Sequence, residues 1–189
     1  MADAAGLSMT PEDFFVRRRD QDELYELVDG HPVPRHWMMT GASMQHDRAT
    51  ANTIVSLGTQ LRGKSCRPTT ADISIRTNIR GLRRPDVMVE CAPLVPDTDE
   101  AREPRLVVEV ASPSTTTIDQ TRKVEEYKCH PTLTTILLVE AVTPQSLLYR
   151  RGADGWEIET FEGLEAAIDL PDIYDGLTFP ARRDLASEG

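Results

Sequence analysis

The sequence predicts an α/β fold, a mixed β-sheet flanked by helices, and three observations carry that reading. Val87–Val89, Leu106–Val110 and Thr134–Glu140 are short runs rich in Val, Leu and Ile, as strands buried on both faces are. Ser43–Leu61 and Ile118–Cys129 carry apolar residues at helical spacing, and they alternate with those strands. At 189 residues the chain fits one domain with a sizeable core.

Met9-Thr10-Pro11-Glu12-Asp13 reads as a helix start. Thr10 can cap, and Pro11 suits the first turn because its missing N–H is not needed there. This helix should end near Arg19. Leu24–Val28 reads as a short strand closed by Asp29-Gly30, a turn signal, with His31–Val33 beginning the return strand. Along Ser43–Leu61 the residues Ala49, Thr53, Ile54, Leu57 and Leu61 recur on one helical face, and Gly63 stands just past the end. Asp72–Arg76 alternates polar and apolar, as a half-exposed strand does. Pro93–Pro104, with its prolines and acids, reads as a loop. Gln145–Arg150 and Trp156–Phe161 form a hairpin around Gly152–Gly155, and Pro171–Gly189 reads as loop with at most one helical turn. No internal repeat or low-complexity tract is present.

Composition excludes several classes. No apolar run approaches the roughly 20 residues needed to cross a membrane, and the first residues lack the basic and apolar regions of a secretory signal. Cytoplasmic residence is the expectation. Cys66, Cys91 and Cys129 are far apart, with no Cys-x-x-Cys pair, so neither a zinc knuckle nor a disulfide framework is expected. The net charge of −10 argues against tight, nonspecific nucleic-acid binding. Phosphate contacts need only local cations, however. Arg17–Arg19, Arg80 with Arg83 and Arg84, and Arg150-Arg151 are such clusters, each most simply read as a solvated face.

The candidate chemistry lies between Arg84 and Tyr127. Asp86 follows Pro85 at the start of a Val/Met strand; alone it would be a turn acid. Glu109 lies inside Leu106-Val107-Val108-Glu109-Val110. A buried unpaired charge costs several kcal/mol or more, on the order of magnitude of ion desolvation, so this acid should be ion-paired or metal-bound. Lys123 follows on the next helix. Asp119 precedes it by four residues, which by spacing is an ordinary surface pair. Two strand-borne acids and an amine are the parts needed to hold a divalent metal and activate water. Glu140 closes a similar strand and is either a further acid of the site or solvent-facing. Glu26 reads on its own as a sheet-edge acid, and His46 as a capping or solvent residue. No second histidine falls at metal-ligand spacing, and phosphate-loop, dinucleotide, nucleophile-elbow and zincin motifs are absent.

Glu26-Leu27-Val28-Asp29-Gly30, His46, Pro85-Asp86-Val87 and Val108-Glu109-Val110-Ala111-Ser112-Pro113-Ser114-Thr115, followed by Asp119, Lys123 and Tyr127, resemble the Uma-type (DUF820-like) restriction endonuclease family of the PD-(D/E)XK nuclease superfamily. The resemblance spans roughly residues 9–180, a single domain with 1–8 and 181–189 as flexible termini. It implies a restriction-endonuclease-like α/β core and Mg²⁺- or Mn²⁺-dependent hydrolysis of DNA phosphodiesters. It implies Asp86 and Glu109 as metal-binding acids, with the Val110 carbonyl as a third oxygen. Lys123 stands in for the superfamily lysine, Glu26 is an auxiliary acid and His46 an accessory polar group. Asp119 orients the amine, and the Tyr127 ring packs beneath it.

The chain departs from the superfamily pattern at Ala111, where the lysine usually stands two residues after the glutamate. It also carries Glu140 where relatives often have an aspartate. Two other functions compete with the nuclease: a catalytically silent nuclease-fold module for binding or assembly, and a metal-dependent hydrolase of another phosphoester. DNA is the expected partner, and the Gln145–Phe161 hairpin could support a homodimer.

Overall fold

The computed structural model describes residues 8–18, 23–35, 43–111 and 117–162. The Ser112–Thr115 turn, the end of the first helix at Arg19, the segment Pro171–Gly189 and, of the expected termini, residues 1–7 and 181–189 lie outside these residues.

The mixed α/β architecture is present. Three helices occur among the described residues: α1 (Pro11–Arg18), α2 (Met44–Gln60) and α3 (Thr117–Lys128). The mixed sheet has six strands: β3 (Arg67–Thr70), β6 (Val87–Glu90), β7 (Pro104–Ala111), β8 (Thr135–Glu140), β9 (Gln145–Arg151) and β10 (Trp156–Glu162), in the order β10-β9-β8-β7-β6-β3. Its neighbours are antiparallel except β7 and β8, which run parallel. A parallel pair cannot be joined by a tight turn, and α3 forms the crossover between them.

α2 packs one face of this sheet and α3 the other. Val87, Val108, Val110, Leu137 and Val139 meet Ala49 and Leu57 of α2. Met88, Val107, Ile136 and Leu138 meet Val124 and Tyr127 of α3. Alternation along β7 therefore turns Glu109 toward α3.

A second sheet was not foreseen. β1 (Tyr25–Val28), β2 (His31–Pro34), β4 (Ile75–Asn78) and β5 (Gly81–Arg83) form an antiparallel sheet in the order β2-β1-β5-β4. Its Leu27 and Leu82 pack with Phe14 of α1. Asp29 and Gly30, both at positive φ (52° and 83°), make the β1–β2 turn, the backbone that two-residue hairpin turns favour. Thr10 and Asp13 cap α1 reciprocally: Asp13 N–H donates to Thr10 Oγ1 at 3.2 Å, and Thr10 N–H to Asp13 Oδ2 at 3.3 Å.

Several expectations need correction. The strand expected at Asp72–Arg76 begins three residues later, because Ser74 instead bridges Glu100 in the Pro93–Pro104 segment. Arg83 and Arg84 are not on a solvated face; both are almost wholly buried. Cys66 and Cys91 form a disulfide. β3 and β6 pair antiparallel with Arg67 opposite Glu90, so the next residues along the ladder are the two cysteines. No helix among the described residues is long and apolar enough to cross a membrane.

Candidate active site

Asp86 stands at the turn into β6, and three groups converge on its carboxylate. Arg35, just past β2, donates from Nη2 to Oδ1 at 2.7 Å. Val110 N–H donates to Oδ2 at 2.8 Å, and His46 Nε2 lies 3.4 Å from the same oxygen. β7 runs on past the point where β6 begins at Val87, opposite Val108, so the Val110 N–H has no strand partner on that side and Asp86 takes it. A strand residue presents its N–H and C=O to the same neighbour, which turns the Val110 carbonyl to the Asp86 side as well. His46 is in place because Ser43 caps α2, accepting from the His46 N–H at 3.2 Å. The imidazole is therefore buried rather than capping or solvated.

On the α3 face, both Glu109 oxygens are engaged. Lys123 Nζ donates to Oε2 at 3.2 Å and the Tyr127 hydroxyl to Oε1 at 2.6 Å. The two donors lie four residues apart, one turn of α3, and so present a paired grip to one strand residue. Lys123 is thus turned inward onto Glu109 rather than left at the surface, with Asp119 acting on it through charge. Tyr127 bonds the acid itself through its hydroxyl.

Glu26 is interior to the second sheet, not at its edge, because β1 lies between β2 and β5. Its carboxylate accepts from Arg83 Nη1 at 2.9 Å and from Arg84 N–H at 3.1 Å. Arg83 also binds Glu126 of α3 through Nε at 2.6 Å and Nη2 at 2.9 Å. The ladder Glu26–Arg83–Glu126 thus ties the second sheet to the helix that carries Lys123.

The electrostatics follow from crowding three acids into a dry region. Burial pushes the Asp86 carboxyl up, but the hydrogen bond and charge of His46, the Val110 N–H and Arg35 outweigh it and hold Asp86 below the usual aspartate value. Burial raises the Glu109 carboxyl above its usual value; Lys123 opposes this, while the charges of Asp86 and Glu26 add to it. Burial disfavours the Lys123 ammonium, yet Glu109, Glu26, Asp119 and Asp86 more than compensate and keep its proton held above the ordinary lysine value. Lys123 accordingly stands as a hydrogen-bond donor to Glu109. The hydrogen bond to Asp86 raises the His46 value, against the effect of burial.

The structure thus brings Asp86, Glu109, Val110, Lys123, Tyr127 and His46 together, with Glu26 and Asp119 acting on them through their charge. Glu140 has no hydrogen bond among the described residues, and burial alone raises its carboxyl. It lies opposite Ala111 in the β7–β8 register. Arg35, Arg83, Arg84 and Glu126 were not expected in this neighbourhood. One signal in the sequence was available for the arginines: Arg83-Arg84 leads directly into the buried Pro85-Asp86 strand start.

Among the described residues no three His, Cys, Asp or Glu side chains converge as a ligand set for a metal. The donor chemistry nevertheless fits a hard cation: two carboxylates and a main-chain carbonyl are oxygen ligands. Mg²⁺ commonly uses only one or two carboxylates together with waters and substrate phosphate. Metal binding here would displace protein donors, since all four oxygens of the two acids are engaged.

The family model for Uma2, described as "Putative restriction endonuclease", matches residues 11–182. The chain belongs to this family. It is also similar to "Uncharacterized protein slr1290" of Synechocystis sp. (strain ATCC 27184 / PCC 6803 / Kazusa), with 31% identity over 184 residues, covering 90% of this chain and 94% of the relative. The Uma2 match takes in both carboxylate-bearing strands, α2 with His46 and α3 with Lys123, so every residue of the constellation falls inside it.

Proposed function

We propose that this Uma2 chain is a metal-dependent endonuclease that hydrolyses DNA phosphodiester bonds. The observation that supports this most is the state of Glu109: a partly buried acid inside an apolar strand, gripped by Lys123 and Tyr127, near the buried acid Asp86. Asp86, Glu109 and the Val110 carbonyl would hold Mg²⁺ or Mn²⁺. When bound, the ion supplies charge neutralisation and a lowered pKa for water. Lys123, as an ammonium, orients the attacking water and stabilises negative charge developing on the phosphate. Asp119 and Glu26 keep the amine protonated. Tyr127 fixes the Glu109 rotamer, and His46 fixes that of Asp86. Cleavage of both strands would be served by a homodimer, for which we assign the β9–β10 hairpin, where Ile158 is exposed.

Supercoiled plasmid incubated with Mg²⁺, Mn²⁺ or chelator tests the reading, alongside Asp86→Ala, Glu109→Ala and Lys123→Ala. Metal-dependent nicking is expected, lost in both acid variants and reduced in Lys123→Ala. A second reading, a silent nuclease-fold binding module, draws support from Ala111 at the usual lysine position and from protein donors on all four carboxylate oxygens. It predicts no nicking by folded wild type with excess metal.

A further inference from the structure

Arg35 has a role that the family pattern does not supply. We propose that Arg35 is an exchangeable counter-ion: it neutralises Asp86 while no metal is bound, and it turns to a phosphate oxygen of the substrate once a divalent cation takes its place. This rests on the nuclease reading for its second half only.

Geometry supports the exchange. Arg35 meets Asp86 Oδ1 through one nitrogen at 2.7 Å, while Oδ2 is held separately by Val110 N–H and His46. Releasing Arg35 therefore frees one oxygen for a cation without losing the groups that aim the carboxylate. The remaining guanidinium donors make no hydrogen bond to described residues. A guanidinium carries five N–H donors in a planar fork suited to phosphate oxygens. The Arg35 side chain is 16% exposed and that of Asp86 7%, so the arginine reaches from the buried acid toward solvent. Its backbone stays anchored, with Arg35 N–H donating to Leu24 O at 2.8 Å beyond the end of β2, so only the side chain need move. Arg83 and Arg84 contrast with it: both are buried and committed to several fixed partners.

An organic cation and a metal competing for one carboxylate give an outcome opposite in sign to that of a purely structural arginine. Removing Arg35 should tighten metal binding while weakening substrate binding. Mn²⁺ binding is measured by electron paramagnetic resonance on the full chain, wild type, Arg35→Met and Arg35→Lys, with circular dichroism to check folding. Duplex binding is followed by fluorescence anisotropy and plasmid nicking by its kcat and KM. Arg35→Met should bind Mn²⁺ about tenfold more tightly, from loss of a competing charge at contact distance. Its KM for plasmid should rise about tenfold, the loss expected of one charge-assisted phosphate contact. Arg35→Lys should keep near-wild-type Mn²⁺ affinity and show an intermediate KM. Arg35→Gln replaces Arg35→Met if the latter does not fold.

Unchanged or weaker Mn²⁺ binding in the neutral variant overturns the exchange. Tighter Mn²⁺ binding with unchanged duplex affinity and KM overturns the phosphate half. If wild type binds Mn²⁺ yet nicks nothing, the nuclease reading fails, and the exchange is judged on Mn²⁺ affinity alone. If wild type binds no Mn²⁺, both fall.

Discussion

The hydroxyl of Tyr127 donates to Glu109 Oε1 at 2.6 Å from a ring with no exposed surface. An acid in an apolar strand is thereby given a neutral donor on one oxygen and an ammonium on the other. Tyr127→Phe keeps the ring and strands that oxygen. A buried acceptor left without its donor costs about 1–3 kcal/mol. Urea unfolding should show that loss as a lower midpoint at unchanged slope; an unchanged midpoint would mean that water replaces the hydroxyl.

Arg83 joins Glu26 to Glu126 and is itself almost wholly buried. Breaking a buried pair from one side costs about 3–5 kcal/mol, because the abandoned charge stays behind. Arg83→Met should fall in that range or fail to fold. Adding Glu26→Gln to Arg83→Met should cost less than the two single losses summed, and strict additivity in a double-mutant cycle would show that the two side chains are not coupled.

Glu126 sets an acid limit on stability. Burial raises its carboxyl, but Arg83 and Arg122 outweigh this, leaving it below the reference value of 4.5. A folded value below the unfolded one means a contribution fully present above pH 4.5 and lost as pH falls through the lower, folded value. The stability difference between wild type and Glu126→Gln should therefore shrink as the solution is acidified below that point. A pH-independent difference would rule this linkage out.

The Cys66–Cys91 bridge closes a loop of 25 residues. Chain-entropy reasoning gives such a crosslink about 3–4 kcal/mol. Reductant should lower the unfolding midpoint, and Cys66→Ser/Cys91→Ser should match reduced wild type. Thiol titration of the denatured, unreduced protein should count only Cys129, the free cysteine; three titratable thiols would show that the bridge does not form.

Much of the frame was legible from the chain. Runs of Val, Leu and Ile marked β6, β7 and β8, because strands buried on both faces lose the alternation that surface strands keep. Asp29-Gly30 marked a turn whose positive φ angles few other pairs tolerate. Glu109 stood out because an acid in such a run needs partners. β3 and β5 were missed for physical reasons: Arg67-Pro68-Thr69-Thr70 and Gly81-Leu82-Arg83 are short and carry no hydrophobic period, and tertiary pairing makes them strands. The disulfide was hidden with β3, since only the β3–β6 register brings Cys66 to Cys91. The fates of Arg83 and His46 were equally nonlocal. Each is buried because an acid distant in sequence awaits it, Glu26 for the first and Asp86 for the second.

Lys123 and Glu126 lie three residues apart on α3, the first bound to the six-stranded sheet and the second, through Arg83, to the four-stranded one. That spacing makes α3 a key with two bits cut on the same shaft. Anyone grafting this constellation onto another scaffold would have to carry over the helix and a piece of each sheet together. A transplant of Asp86, Glu109 and Lys123 alone would leave the amine free to roll off the acid, because nothing would remain to hold the shaft at its angle.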